Sequence, residues 1–203
     1  MTKVKICGLM NLEDAMIAAE SGADALGFVL YSKSPRCIKP KAVKEIVRQL
    51  PPYLTTVGVF ANANVDEIVD VMDECGLDLA QLQGDELPSL CERLGSKAIK
   101  AIRVKDLNSL TSMKSYSVRA FVLDTYRPEN FGGTGKQFDW DLAVEAKQYG
   151  RVILAGGLNP ENVREAIQKV RPYGVDVSSG VECRIGKKDP EKVRQFTRMA
   201  KGT

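Results

Sequence analysis

Eight short apolar runs alternating with amphipathic segments predict an α/β protein: a single (β/α)8 TIM barrel of parallel strands spanning residues 1–203. Three observations lead there. Several runs are apolar on both faces and rich in Val, Ile and Leu, as parallel strands covered by helices are. Eight strand–helix units share the chain at about 25 residues each, near the lower length limit of such barrels. The GxGxxG turn that usually follows the first strand of an open doubly wound sheet, the rival fold, is missing.

In chain order, the first strand is KVKIC, ending at Cys7, and the second is ALGFVL, Ala25 to Leu30. The third and fourth are TTVGVF, Thr55 to Phe60, and LAQLQ, Leu79 to Gln83. The fifth, AIKAIRV from Ala98 to Val104, carries Lys100 and Arg103, expected in the barrel interior or at a strand end. AFVLD (Ala120 to Asp124), VILA (Val152 to Ala155) and GVDVS (Gly174 to Ser178) complete the set. Helix starts are signalled by Asn11 before Glu13-Asp14 and by Asn64 before Asp66-Glu67. In Asn159-Pro160-Glu161, Pro falls at the expected first helical position. Gly22, Gly76 and Gly95 are expected to close helices in the left-handed conformation.

Composition removes whole classes of function. The chain has 0 His, so Ser-His-Asp triads, Cys-His dyads and most zinc sites are excluded, and any acid or base must be Asp, Glu, Cys, Lys or Tyr. Five cysteines without CxxC or other ligand spacing fit reduced thiols, with no metal site and a cytoplasmic location. A net charge of +3 without a basic cluster argues against a nucleic-acid partner. No apolar run has membrane-spanning length, and no secretory signal is expected.

In this fold, chemistry sits where strands end. Gly156-Gly157 after the seventh strand and Ser178-Ser179-Gly180 after the eighth suit a phosphate, through close backbone amides, hydroxyls and a helix start. Either loop alone would read equally well as a tight turn. Asp124 ends the sixth strand beneath a glycine-rich loop, FGGTGK, long enough to cover a ligand; partial burial there would suit it to donate a proton. In the basic loop after the second strand, Arg36 follows Pro35 and fits either a solvated loop or a fork for a carboxylate. Cys7 shares the rim with these groups; it fits a general base, a covalent nucleophile or an inert packed thiol.

Taken together, KVKICGL, SGADALGFVLY, KSPR, QLQGDE, LDT, GGTGKQFDW, LAGGLNPENV and GVDVSSGVE resemble the phosphoribosylanthranilate isomerase family of tryptophan biosynthesis, over essentially the whole chain. The resemblance implies a cofactor-free Amadori rearrangement of a small-molecule substrate by a monomer or homodimer. By it, Asp124 is the general acid that opens the ring, and Cys7 the base that takes the C2′ proton. It also assigns Arg36 to the anthranilate carboxylate and Asp176, Gln81 and Gln83 to the sugar. Gly156, Gly157, Ser178, Ser179 and Gly180 go to the phosphate. Gln83 departs from the family's frequent His and does not titrate near neutrality. Two other readings stand beside it. One is a histidine-branch or dual-substrate Amadori isomerase, a family with an aspartate in place of Cys7. The other is a barrel that binds sugar phosphates without catalysis, which would need neither Cys7 nor Asp124.

Overall fold

The computed structural model describes residues 1–125 and 139–202. Its strands are β1 (Lys3–Cys7), β2 (Ala25–Val29), β3 (Thr55–Phe60), β4 (Leu79–Leu82), β5 (Ala98–Val104), β6 (Ala120–Thr125), β7 (Val152–Leu154) and β8 (Gly174–Val177). Each pairs parallel with the next, and β8 pairs back to β1, closing the barrel. Between them run α1 (Leu12–Glu20), α2 (Pro40–Val47), α3 (Val65–Cys75), α4 (Pro88–Leu94), α5 (Leu107–Thr111), α6 (Trp140–Ala146) and α7 (Val163–Val170), with α8 (Pro190–Lys201) last. All eight predicted strands form, with C-terminal ends within one residue of expectation. The FGGTGK loop lies outside the described residues.

Strand alternation sorts side chains into two compartments. Val4, Ile6, Leu26, Phe28, Ile102 and Val104 join the main core between sheet and helices. Ile99, Ala101, Val122 and Ala155 form a smaller apolar cluster of opposite strand parity, within the barrel. On β1 that inward parity belongs to Lys3, Lys5 and Cys7, so the strand delivers polar groups to the interior while its other face seals the core.

Two predicted caps form: Asn11 accepts from the Asp14 amide and Asn64 from the Glu67 amide, both at 2.8 Å. Gly76 ends α3 in the left-handed region, and Gly22, just past α1, also has positive φ. Gly95 departs from expectation. Its φ of 56° is positive, but ψ of −129° leaves the left-handed helical basin and leads into a 3-10 turn. Pro160 is also displaced: regular helix begins only at Val163. Asn159 still caps, accepting from the Glu161 and Asn162 amides at 3.0 Å. Asn162 in turn donates to the Gly157 carbonyl, tying that turn to the glycine pair.

Lys100 points neither into the barrel nor to a free strand end. Its parity is that of Ile102, and its Nζ is buried against the Leu82 and Gly84 carbonyls and Glu86. Arg103 does lie near a strand end and pairs with Asp85. After β8 the chain makes a hairpin, β9 (Glu182–Arg184) and β10 (Lys187–Lys188), that the apolar pattern does not reveal. Among the described residues no helix is long and apolar enough to cross a membrane, and no His/Cys/Asp/Glu cluster fit to hold a metal occurs.

Candidate active site

One pocket at the C-terminal mouth of the barrel brings together every residue singled out from the sequence. Cys7, Arg36, Gln81, Gln83 and Asp124 line it together with Gly156, Gly157, Asp176, Ser178, Ser179 and Gly180. Eight strands converge there, so residues up to 173 positions apart become neighbours.

Asp124 is buried at the end of β6. Its Oδ1 accepts from the Thr125 amide at 2.8 Å and its Oδ2 from Gln83 Nε2 at 3.1 Å. Gln83 is itself held by Gln81, whose Nε2 donates to Gln83 Oε1 at 2.8 Å. Burial raises the Asp124 carboxyl to about 6; the Thr125 amide pulls against it, and the nearby Asp176 adds to it. A carboxyl near 6 is still protonated often enough at neutral pH to serve as an acid.

Cys7 is buried at the end of β1, with Lys5 two residues earlier on the same face. Burial pushes the thiol up from its ordinary value, and the Lys5 ammonium pulls it back. Lys5 Nζ donates to Asp176 Oδ2 at 2.9 Å. Desolvation works against that ammonium, but Asp176 outweighs it and raises the Lys5 pKa, so the side chain stays charged. Asp176 Oδ1 and Gln81 Oε1 are buried and lack a hydrogen-bond partner. Unpaired buried acceptors are costly in a folded protein, and these two lie in the pocket wall.

The two glycine loops pack against each other. A Cβ on Gly180 would sit 1.9 Å from the Leu158 carbonyl oxygen, so only glycine lets the loop after β8 close on the loop after β7. Gly156 and Gly157 both have φ near +75°, and Gly156 lies against Asp124 and Thr125. Asp124 and the loop after β7 therefore share a wall.

Arg36 is buried and its fork is already partly used. Nε and Nη2 donate to the two carboxylate oxygens of Glu182, each at 2.7 Å. Glu182 also accepts from Lys188 Nζ at 3.1 Å, and Lys188 is fully buried. Burial pushes the Glu182 carboxyl up, but Arg36 and Lys188 more than offset this and hold it below the usual carboxylate range. The guanidinium's side edge is thus taken, which leaves its end edge, Nη1 and Nη2, for a ligand.

Three residues of this arrangement received no assignment from the sequence: Lys5, Glu182 and Lys188. Lys5 was detectable by the alternation of KVKIC, which puts it on the face of Cys7. Glu182 and Lys188 carry no comparable sign: Arg36, the partner of Glu182, lies 146 residues away, and the Lys188 ammonium is engaged by Glu182 and the Ser178 carbonyl. At the opposite mouth a second depression exists, where Lys3 pairs with Asp24 at 2.8 Å and Arg151 lies over the Tyr173 ring.

A closed parallel barrel with paired glycine loops, a buried carboxyl near 6 and a buried thiol in one pocket defines a class: a barrel enzyme of acid–base chemistry on a phosphorylated small molecule. Comparison with known proteins narrows it. The family model described as N-(5′-phosphoribosyl)anthranilate (PRA) isomerase matches residues 4–199. A relative from Geotalea uraniireducens, named N-(5′-phosphoribosyl)anthranilate isomerase, is 56% identical over 202 residues, covering 100% of both chains. A crystal structure of phosphoribosyl anthranilate isomerase with reduced 1-(o-carboxyphenylamino)-1-deoxyribulose 5-phosphate superposes with TM-score 0.89 at 42% identity, again over 100% of both chains. Monomers generated from the dimeric enzyme of Thermotoga maritima give TM-score 0.88 at 41% identity over 100% of both chains. The chain belongs to the N-(5′-phosphoribosyl)anthranilate isomerase family.

Proposed function

We propose that this chain converts N-(5′-phosphoribosyl)anthranilate to 1-(2-carboxyphenylamino)-1-deoxyribulose 5-phosphate without a cofactor, with Asp124 as general acid and Cys7 as general base. The observation that carries the reading is the placement of these two groups, of opposite proton chemistry, in one pocket between paired glycine loops and Arg36. Asp124 gives its proton to the ring oxygen as the C1′–O4′ bond breaks, and the anthranilate nitrogen lone pair forms the C=N bond of an iminium. The Cys7 thiolate then takes the C2′ proton; the C–H electron pair forms C1′=C2′, giving an enolamine that tautomerises to the ketone.

The remaining groups fit the rest of the substrate. Amides and hydroxyls of Gly156, Gly157, Ser178, Ser179 and Gly180 receive the phosphate. The end edge of Arg36 receives the anthranilate carboxylate. The partnerless Asp176 Oδ1 and Gln81 Oε1 are supplied with donors by sugar hydroxyls, and Gln83 orients the acid. On this reading the chain works in the cytoplasm as a monomer or homodimer on a small molecule, with no nucleic-acid or membrane partner. The test is consumption of phosphoribosylanthranilate, followed by fluorescence, with neither metal nor nucleotide added. Turnover is expected; none from well-folded protein would overturn the proposal.

A further inference from the structure

Lys5 holds a buried positive charge beside the thiol, and nothing in the family resemblance gives it a task. It lies on the inward face of β1, 5% exposed, with its ammonium fixed by Asp176 Oδ2 at 2.9 Å. The same ammonium lies on the strand face of Cys7 and lowers the cost of ionising its thiol. Both groups stand against Gly27 on the adjacent strand: a Cβ there would lie 2.7 Å from Cys7 Sγ and 3.0 Å from Lys5 Nζ. Any other residue would drive a side chain between the two groups.

We propose that Lys5 is a positioning residue for proton abstraction: anchored by Asp176, its ammonium holds the Cys7 thiolate over Gly27 and favours its formation. The proposal rests on Cys7 being the base. Other charges around the thiol are accounted for. Asp176 on β8 opposes thiolate formation, while Lys188 on β10 favours it. Arg36, from the loop after β2, also senses the thiol, but it and Lys188 are both tied to Glu182. Lys5 is the cation that shares the thiol's strand face and packs with it against Gly27. When the C2′ proton reaches Sγ, the thiolate charge disappears and the ammonium keeps its bond to Asp176, so no charge is stranded in the barrel.

The active form needs Asp124 protonated and Cys7 ionised together. With the acid titrating below the base, the fraction in that form falls tenfold for each unit by which the thiol pKa rises. The experiment is the pH dependence of Cys7 alkylation by iodoacetamide, read by peptide mass so that exposed Cys183 and half-buried Cys37 do not interfere. It is run on wild type, Lys5→Arg, Lys5→Met and Lys5→Gln, alongside kcat and KM. Lys5→Met is expected to move the Cys7 midpoint up by about one pH unit or more and lower kcat/KM about tenfold or more. Lys5→Arg should keep most of both. A folded Lys5→Met protein with the wild-type midpoint overturns the proposal. Should Lys5→Met not fold, Lys5→Gln, which removes the charge but keeps a donor toward Asp176, decides: a raised midpoint is expected, and an unchanged or lowered one overturns the proposal. Alkylation is read without turnover, so a failed base assignment, seen as normal kcat in Cys7→Ala, is told apart from a failed role for Lys5.

Discussion

Replacing Glu182 by Gln probes how the barrel holds Arg36. The Glu182 carboxylate receives three hydrogen bonds from two buried cations, two from Arg36 at 2.7 Å and one from Lys188 at 3.1 Å. Gln keeps the shape but loses the charge, and its amide NH2 must face a guanidinium N–H. Removing one partner of a buried ion pair costs about 3–5 kcal/mol, because the other partner stays buried and unpaired. Since Gln retains one acceptor, the lower end applies, about 3 kcal/mol. For a chain of this size each kcal/mol moves Tm by about 2–4 °C, so a fall of about 10 °C is expected in a thermal melt. The effect has a pH signature. A carboxyl held below its usual value contributes stability that is fully present above its unfolded pKa, near 4.3, and is lost as pH falls through the folded value. The Tm gap between wild type and Glu182→Gln should therefore stay constant between about pH 6 and 8 and narrow below about pH 4. In steady-state assays KM should rise about tenfold or more while kcat changes less, since the carboxylate contact proposed for Arg36 would serve ground state and transition state alike. A Tm unchanged at pH 7 with unchanged KM would refute the claim that Glu182 sets the fork.

Two further expectations concern the loops and the protons. Gly180→Ala puts a methyl into the Leu158 carbonyl; the paired loops must part, and both substrate KM and the inhibition constant of inorganic phosphate should rise about tenfold or more, whereas a variant with wild-type phosphate inhibition would contradict the anion-site assignment. The pH profile of kcat/KM should be flat from about pH 6 upward and fall only above the raised thiol value, because the loss of protonated Asp124 is matched by the gain of Cys7 thiolate in between. A decline beginning at pH 7 would show that no rising base compensates the acid.

Much of this architecture was legible because two kinds of signal are local. Strands announce themselves by apolar runs of fixed length, and Asn11 and Asn64 cap helices through bonds to residues three positions on. Cys7, Asp124 and the glycine loops followed from strand ends once the barrel was inferred, whereas Gln81, Gln83 and Asp176 came only with the family resemblance. What stayed hidden depends on distant partners. Alternation puts Lys5 on the face of Cys7, but what makes its charge tolerable inside the barrel is Asp176, 171 residues away. The β9–β10 hairpin is short and rich in charge, so hydrophobic periodicity is silent there, and Lys188 becomes a core residue only through Glu182. Lys100 is a similar case: its burial is made tolerable by two carbonyls and Glu86 supplied by the end of β4. Gly95 shows that a glycine after a helix signals positive φ without fixing ψ.

The central claim, one acid and one base acting on opposite steps, is tested most directly by single-turnover rates of Cys7→Ala and Asp124→Asn, each paired with titration of a reduced product analogue. The account predicts that both variants lose about 10²–10⁴-fold in rate while binding the analogue within a few-fold of wild type. Near-normal rate in either variant, with the analogue still bound, would contradict it.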